Sequence, residues 1–337
     1  MAKNIFVRVI LQDGSVGYGE VAPFPDISGE DQVACLAAFP AAAQVLLGQP
    51  ATQFRRLSRQ LLEATQFFPA LRCGLETALL DSLCRAMGIP LWGLWGGADI
   101  RIRETDVTLP IGTTDAVVAM ARDWYHQGFQ TLKMKVGQDV EKDIRRVEAV
   151  AATCEQASFV IDANQGYTFD QAREFLRAMV RLHIPVKVFE QPIHRDNIEE
   201  MIVLKNQEVI PLAADESLRS LEDARQLIDH KVVDMFNVKI TKCGVMESVR
   251  IAELAQSSGV GLMIGGMVES RVAMGCSWSL VLGLGGFEIL DLDMPLLLSV
   301  DPIQGGYQYE GASLYPWHEP GLGMFINADS SSRVSIE

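Results

Sequence analysis

The 337-residue sequence contains no C-x-x-C pair. None of its six cysteines, Cys35, Cys73, Cys84, Cys154, Cys243 and Cys276, has a histidine partner at zinc-ligand spacing. Dispersed thiols of this kind exclude a zinc-ribbon scaffold and read as buried side chains in a reducing compartment. No signal peptide is expected, because the opening MAKNIFVRVI runs straight into a strand pattern. The apolar stretch from Val272 to Phe287 is broken by serine and glycine and is too short to span a bilayer. Basic residues are scarce: 29 Lys and Arg stand against 43 Asp and Glu, a formal net charge of −14. That argues against a general nucleic-acid binder, which needs clustered cations, and against a polybasic membrane contact. The expectation is a soluble cytoplasmic protein with a small-molecule substrate, no nucleic-acid or membrane partner, and assembly as a homo-oligomer.

What is present is rhythm. Asn4 to Val21 has the alternation of a β-hairpin around Asp13-Gly14. Helical patterns follow at about 31–48, 51–66 and 69–88, the last closed by Gly88 and Pro90. The glycine-rich GLWGGA at 93–98 reads as a connection between domains. From residue 105, eight strand patterns (105–111, 129–136, 159–164, 186–192, 210–217, 235–241, 261–266 and 288–293) alternate with amphipathic helical ones. Eight such units predict a parallel α/β sheet closed as a TIM-type barrel. An open doubly wound sheet is the competing architecture, but no G-x-G-x-x-G follows a first strand. The domain reading is a capping α+β domain at 1–98, a barrel at 99–299 and a segment at 300–337 that returns to the cap.

In a β/α barrel the chemistry sits at the C-terminal ends of the strands. Here those ends carry Lys133 and Lys135, then Asp162, Glu190, Asp215 and Lys239, and finally Asp291 and Asp293. The intervals from Lys135 to Asp162, Glu190, Asp215 and Lys239 follow the length of the repeating unit. A constant phase puts these side chains at one height around one mouth. Three gathered carboxylates repel one another unless a cation compensates, and oxygen ligands without His or Cys suit magnesium rather than zinc. Lys133 and Lys135, two apart on one strand, face the same way. A buried lysine near cations has a lowered pKa and can act as a general base. Lys135 and Lys239 fall on opposite sides of the barrel, one for each face of a bound carbon acid. A salt bridge to a neighbouring acid is the competing reading for Lys133.

K-M-K, D-A-N-Q, F-E-Q-P, A-A-D-E-S, N-V-K-I-T-K-C-G and G-G-M-V-E-S, in that order, resemble the enolase superfamily in its muconate-lactonizing-enzyme subgroup. The resemblance covers nearly the whole chain. It implies that Asp162, Glu190 and Asp215 bind one magnesium ion, and that Lys135 and Lys239 are the acid/base pair. Lys133 would assist at the substrate carboxylate. The D-x-D of Asp291 and Asp293 looks like that of the dipeptide epimerases, where the acids hold the substrate's α-ammonium. Glu269 is expected to line the same mouth in a supporting role. The implied reaction is epimerisation of a dipeptide at its C-terminal residue, of the L-Ala-D/L-Glu epimerase type. The alternatives are an o-succinylbenzoate synthase or N-succinylamino-acid racemase, a muconate cycloisomerase-like enzyme, and a non-catalytic metal-binding barrel. Two features depart from the family pattern. Gly244 is followed by Val245 where a glycine pair is usual, and the chain starts at what resembles the family's second strand, without the first strand and its mobile loop.

Overall fold

The computed structural model describes residues 3–326. It opens with the antiparallel pair β1 (Ile5–Ile10) and β2 (Val16–Val21), in register from Ile5 opposite Val21 to Ile10 opposite Val16. The turn uses Gly14 at a left-handed φ of 86°, and Asp13 Oδ1 accepts the Ser15 N–H at 2.9 Å. After the short helical turn Pro25–Ser28 come three longer helices: α1 (Gln32–Ala43), α2 (Phe54–Ala64) and α3 (Pro69–Met87). Pro69 starts α3 where a missing N–H costs nothing, and Gly88 ends it in a left-handed conformation. β2 lies directly on α3. A Cβ on Gly17 or Gly19 would overlap the helix backbone at Ala78 and Gly74, so only glycine permits this approach.

The second region is an eight-stranded parallel sheet: β3 (Val107–Leu109), β4 (Thr131–Lys135), β5 (Ser158–Asp162), β6 (Val186–Glu190), β7 (Leu212–Ala214), β8 (Met235–Val238), β9 (Gly261–Ile264) and β10 (Phe287–Leu290). Each strand is paired with its neighbour in sequence. The period of two divides the side chains. Val160, Val188, Ala213, Met235, Met263 and Ile289 fill the interior, while the alternate residues join the larger core under the surrounding helices. The sheet curls until its ends meet, but the seam is thin. It is held by Asp106 N–H on Leu290 O at 2.8 Å, Thr105 Oγ1 on Leu290 O at 3.1 Å, Leu292 N–H on Thr105 Oγ1 at 2.8 Å and Thr108 N–H on Asp293 Oδ2 at 2.6 Å.

Charged side chains tie the first region to the sheet region. Glu20 on β2 accepts the backbone N–H groups of Ser270 and Ala273, at the start of the helix Arg271–Leu284. Glu76 on α3 does the same for Val245 and Met246, at the start of the helix Val245–Ser258. Arg72 donates to Cys243 O, at the end of the short helix Ile240–Cys243. Acids at helix N-termini and a cation at a C-terminal carbonyl satisfy orphan backbone groups and follow the helix dipole. The chain after residue 300 also reaches the first region: Leu322 N–H bonds Asp81 Oδ1 at 2.6 Å and Arg85 Nη2 bonds Met324 O at 2.6 Å. In between, Ser313–Tyr315 pairs with Arg103–Glu104 beside the sheet.

Two local expectations differ from the structure. The strand pattern at 235–241 breaks at Val238. Lys239 then starts the turn Ile240–Cys243, in which the Ile240 carbonyl is met by the Gly244 N–H and the Cys243 carbonyl by Arg72 rather than by a ladder. The glycine-rich stretch at 93–98 is partly ordered as a 3-10 helix, Leu91–Trp95, anchored by Trp92 Nε1 on Trp317 O at 2.7 Å. No described helix is long and apolar enough to cross a membrane.

Candidate active site

The strand ends deliver an interlocked set of charges. Asp162 and Glu190 end β5 and β6, and they are neighbours in register. Asp215 follows β7. All three are shut from solvent. Lys133 on β4 lies among them, its Nζ 2.8 Å from Glu190 Oε2, 3.2 Å from Asp162 Oδ2 and 2.6 Å from Asp291 Oδ2. Lys135, two residues further towards the mouth and partly open to solvent, donates to Asp162 Oδ2 at 2.6 Å and to Asn164 Oδ1 at 2.9 Å. Lys239 donates to Asp215 Oδ2 at 2.7 Å and stands 3.8 Å from Glu190 Oε1.

Burial alone would raise every carboxylate here, and the ammonium groups decide which stay ionised. Asp162 is driven well below the carboxylate range because Lys135 and Lys133 outweigh its desolvation. Asp215 is likewise held down, by Lys239 and Lys242. Glu190 is pushed up to about 7 by burial and by the Asp162 carboxylate. Desolvation would lower Lys239, but Asp215 and Glu190 raise it above the lysine range. Lys133 is raised too, by Asp291, Glu190 and Asp162, against its desolvation.

Asp291 and Asp293 lie just past β10, in the same mouth. Lys133 joins Asp291 to the acids on β5 and β6, whereas Asp293 is turned to the seam by the Thr108 N–H. Glu269 is buried beside Thr241, whose hydroxyl it accepts at 2.8 Å, and burial and Glu20 push it up to about 7.

Four further residues belong to the site and were not singled out from the sequence. Lys242 is buried and donates to Asp215 Oδ1 at 2.5 Å and Asn237 O at 3.0 Å. Asn237 donates to Glu190 Oε1 at 2.7 Å. Gln191 accepts the N–H groups of Asp215 and Ser217 at 3.0 and 3.1 Å, which fixes the end of the neighbouring strand. Gln191 and Asn164 both have positive φ, 35° and 42°, the backbone strain that functional strand ends often carry. The fourth is Asp106, whose carboxyl is buried against Asp291 and Asp293. Gly265 leaves room for the site, since a Cβ there would come within 2.9 Å of Asn237 Oδ1 and Asp291 Oδ2.

The donor set suits a hard divalent cation. Asp162, Glu190 and Asp215 offer only oxygens, and Glu190 Oε2 is buried with no hydrogen bond although an ammonium lies beside it. The trio of acid oxygens within 4.8 Å of one another, among the described residues, is a different one: Asp106, Asp291 and Asp293. Lysines stand among Asp162, Glu190 and Asp215.

The sequence matches the family described as "Mandelate racemase / muconate lactonizing enzyme, N-terminal domain" over residues 1–96, and that described as "Enolase C-terminal domain-like" over residues 116–330. The chain belongs to the enolase superfamily. Among its relatives in that superfamily is an L-Ala-D/L-amino acid epimerase of Populus trichocarpa, 38% identical over 97% of this chain and 79% of the relative. An aromatic dipeptide epimerase of Herpetosiphon aurantiacus is 38% identical over 93% of this chain and 88% of its own length. The crystal structure of a Cytophaga hutchinsonii dipeptide epimerase complexed with Mg and the dipeptide D-Ala-L-Val superposes with a TM-score of 0.92 at 28% identity, over 97% of this chain and 89% of that one. The enolase-superfamily fold, a curled eight-stranded sheet with a cap, is thus shared across nearly the whole chain.

Proposed function

We propose that the chain is a dipeptide epimerase that takes the α-proton from the C-terminal residue of a dipeptide and returns it to either face. One observation carries this reading. Lys133 joins the acids on β5 and β6 to Asp291 of the D-x-D, so the place for a substrate carboxylate and the place for its ammonium lie in one mouth. Asp162, Glu190 and Asp215 would hold a single magnesium ion. When bound, it supplies compensation for the negative charge that develops on the substrate carboxylate. Lys135 and Lys239 serve as the two bases, reached from strands on different sides of the mouth. One removes the proton and the other, protonated, returns one from the opposite side, which inverts the carbon. Lys133 balances the carboxylates and faces the reacting carboxylate. Glu269 supports the mouth through Thr241, the turn residue two beyond Lys239. The D-x-D acids favour a cationic terminus and would repel a dicarboxylate such as muconate. The working form in this reading is a cytoplasmic homo-oligomer.

The test is α-proton exchange in deuterated water across a dipeptide library, with magnesium and again after chelation. Deuterium should enter the C-terminal residue of one group of dipeptides, both epimers should appear, and chelation should stop both. No exchange with any dipeptide in the presence of magnesium would overturn the reading. Dehydration of the o-succinylbenzoate precursor by the same sample would replace it with the synthase alternative.

A further inference from the structure

Asp106 precedes β3 at the seam, and neither of its carboxyl oxygens has a hydrogen-bond partner, although the residue is 1% exposed. Such a carboxyl is costly unless something pairs with it. Its neighbours are acids: one oxygen each from Asp106, Asp291 and Asp293 lie within 4.8 Å of one another. Burial and those two neighbours push its pKa well above the carboxylate range. The two D-x-D carboxylates are partly committed already, Asp291 Oδ2 to Lys133 and Asp293 Oδ2 to the Thr108 N–H. A tetrahedral ammonium with three N–H···O bonds of about 2.8 Å spaces its acceptors about 4.6 Å apart. The three carboxyl oxygens lie within 4.8 Å of one another, a limit inside which that separation falls. Burial does not set Asp106 apart, since Asp162 and Glu190 are equally closed to solvent.

We propose that Asp106 is the third acceptor of a three-carboxyl cradle, completed by Asp291 and Asp293, that takes all three N–H donors of the substrate's free α-ammonium. This rests on the dipeptide-epimerase reading, but its test does not depend on turnover. The probe is L-Ala-L-Phe, titrated calorimetrically into magnesium-loaded wild type, Asp106→Asn and Asp106→Ser, with N-acetyl-L-Ala-L-Phe as the control that lacks an ammonium. A charge-assisted hydrogen bond of ordinary strength corresponds to a loss of about tenfold or more in affinity. Both variants should therefore bind the free dipeptide at least tenfold more weakly and the acetylated one unchanged. With a substrate that turns over, KM should rise by the same factor while kcat changes less than threefold. The melting temperature should stay level or rise, because no hydrogen bond of the fold ends on this carboxyl. Several results would overturn the cradle: no binding of the free dipeptide by wild type, equal affinity in the variants, equal loss for both ligands, or variants less stable than wild type. A second magnesium site in wild type, lost in Asp106→Asn, would assign the trio to a metal instead. Weakened binding in the variants without turnover in wild type would uphold the cradle and sink the epimerase reading alone. Turnover with unchanged affinity in the variants would do the reverse.

Discussion

The buried acids of the cap interface and those of the barrel mouth are equally shut from water, yet they are satisfied in different ways. At the interface, Glu20 takes the amides of Ser270 and Ala273, Glu76 those of Val245 and Met246, and Asp81 those of Tyr18 and Leu322. None of their oxygens is left buried without a partner. In the mouth, Glu269 leaves one buried oxygen without a hydrogen bond, Asp106 leaves both, and Glu190 Oε2 has only the Lys133 ion pair. Asp162 Oδ2, Asp291 Oδ2 and both oxygens of Asp215 are met by lysine ammonium groups on flexible stems. Backbone amides are fixed and neutral, so they hold a carboxylate for the sake of the fold. Ammonium groups can swing away or give up a proton, so they hold one for the sake of chemistry. The contrast separates acids that close a structure from acids that wait for a cation.

Exchanging the roles should produce opposite phenotypes. Glu190→Gln keeps an acceptor for Asn237 but removes a charge from the mouth. It should lower kcat/KM by about 10³-fold while moving the melting temperature little. Glu76→Ala should do the reverse. Leaving two helix-start amides unmet should cost about 3 kcal/mol in denaturant unfolding, with kcat of the folded enzyme unchanged. A smaller effect separates the regions by pH. Burial raises Glu76 to about 7 from an ordinary value of 4.5. The folded state therefore binds the extra proton between those values, so this group's contribution is most favourable below 4.5 and declines as pH climbs through 7. Wild type should lose about 2 kcal/mol more than Glu76→Gln between pH 5 and pH 7, read as the difference between their unfolding free energies. The smallest effect concerns the brace under the D-x-D, where Tyr309 Oη donates to Leu292 O at 2.5 Å. Tyr309→Phe should cost about 1 kcal/mol of stability. If the brace also aims Asp291 and Asp293, KM should rise severalfold with kcat nearly constant.

The mouth was more legible in the sequence than the interface, for a physical reason. A β/α unit has a nearly fixed length, so strand-end residues recur in phase. The spacing of Lys135, Asp162, Glu190, Asp215 and Lys239 is visible in the sequence alone. Lys242 escaped because the chain leaves β8 at Val238 and turns into a helix, which brings the third residue after Lys239 back onto Asp215. Asp106 escaped because it matters only once the first and last strands meet, about 185 residues apart in the chain, as in the Thr108–Asp293 bond. Glu20 and Glu76 look like lone acids in apolar patterns. The helix-start amides they hold lie 250 and 169 residues away and are backbone groups, which carry no side-chain signature. The N-terminal hairpin and the helices from 69 onward were plain from turn chemistry and period, whereas the stretch at 93–98 hid a 3-10 helix among its glycines.

The central claim is that the lysines of the mouth move a proton rather than merely neutralise acids. It is tested most directly by stereochemically resolved α-deuterium incorporation in Lys135→Ala and Lys239→Ala, set against wild type, with both epimers of a dipeptide that wild type turns over. Wild type should label both epimers and interconvert them. Each variant should lose interconversion by at least about 10²-fold, and any exchange it retains should be confined to one epimer, opposite in the two variants. Interconversion at the wild-type rate in either variant would contradict the account.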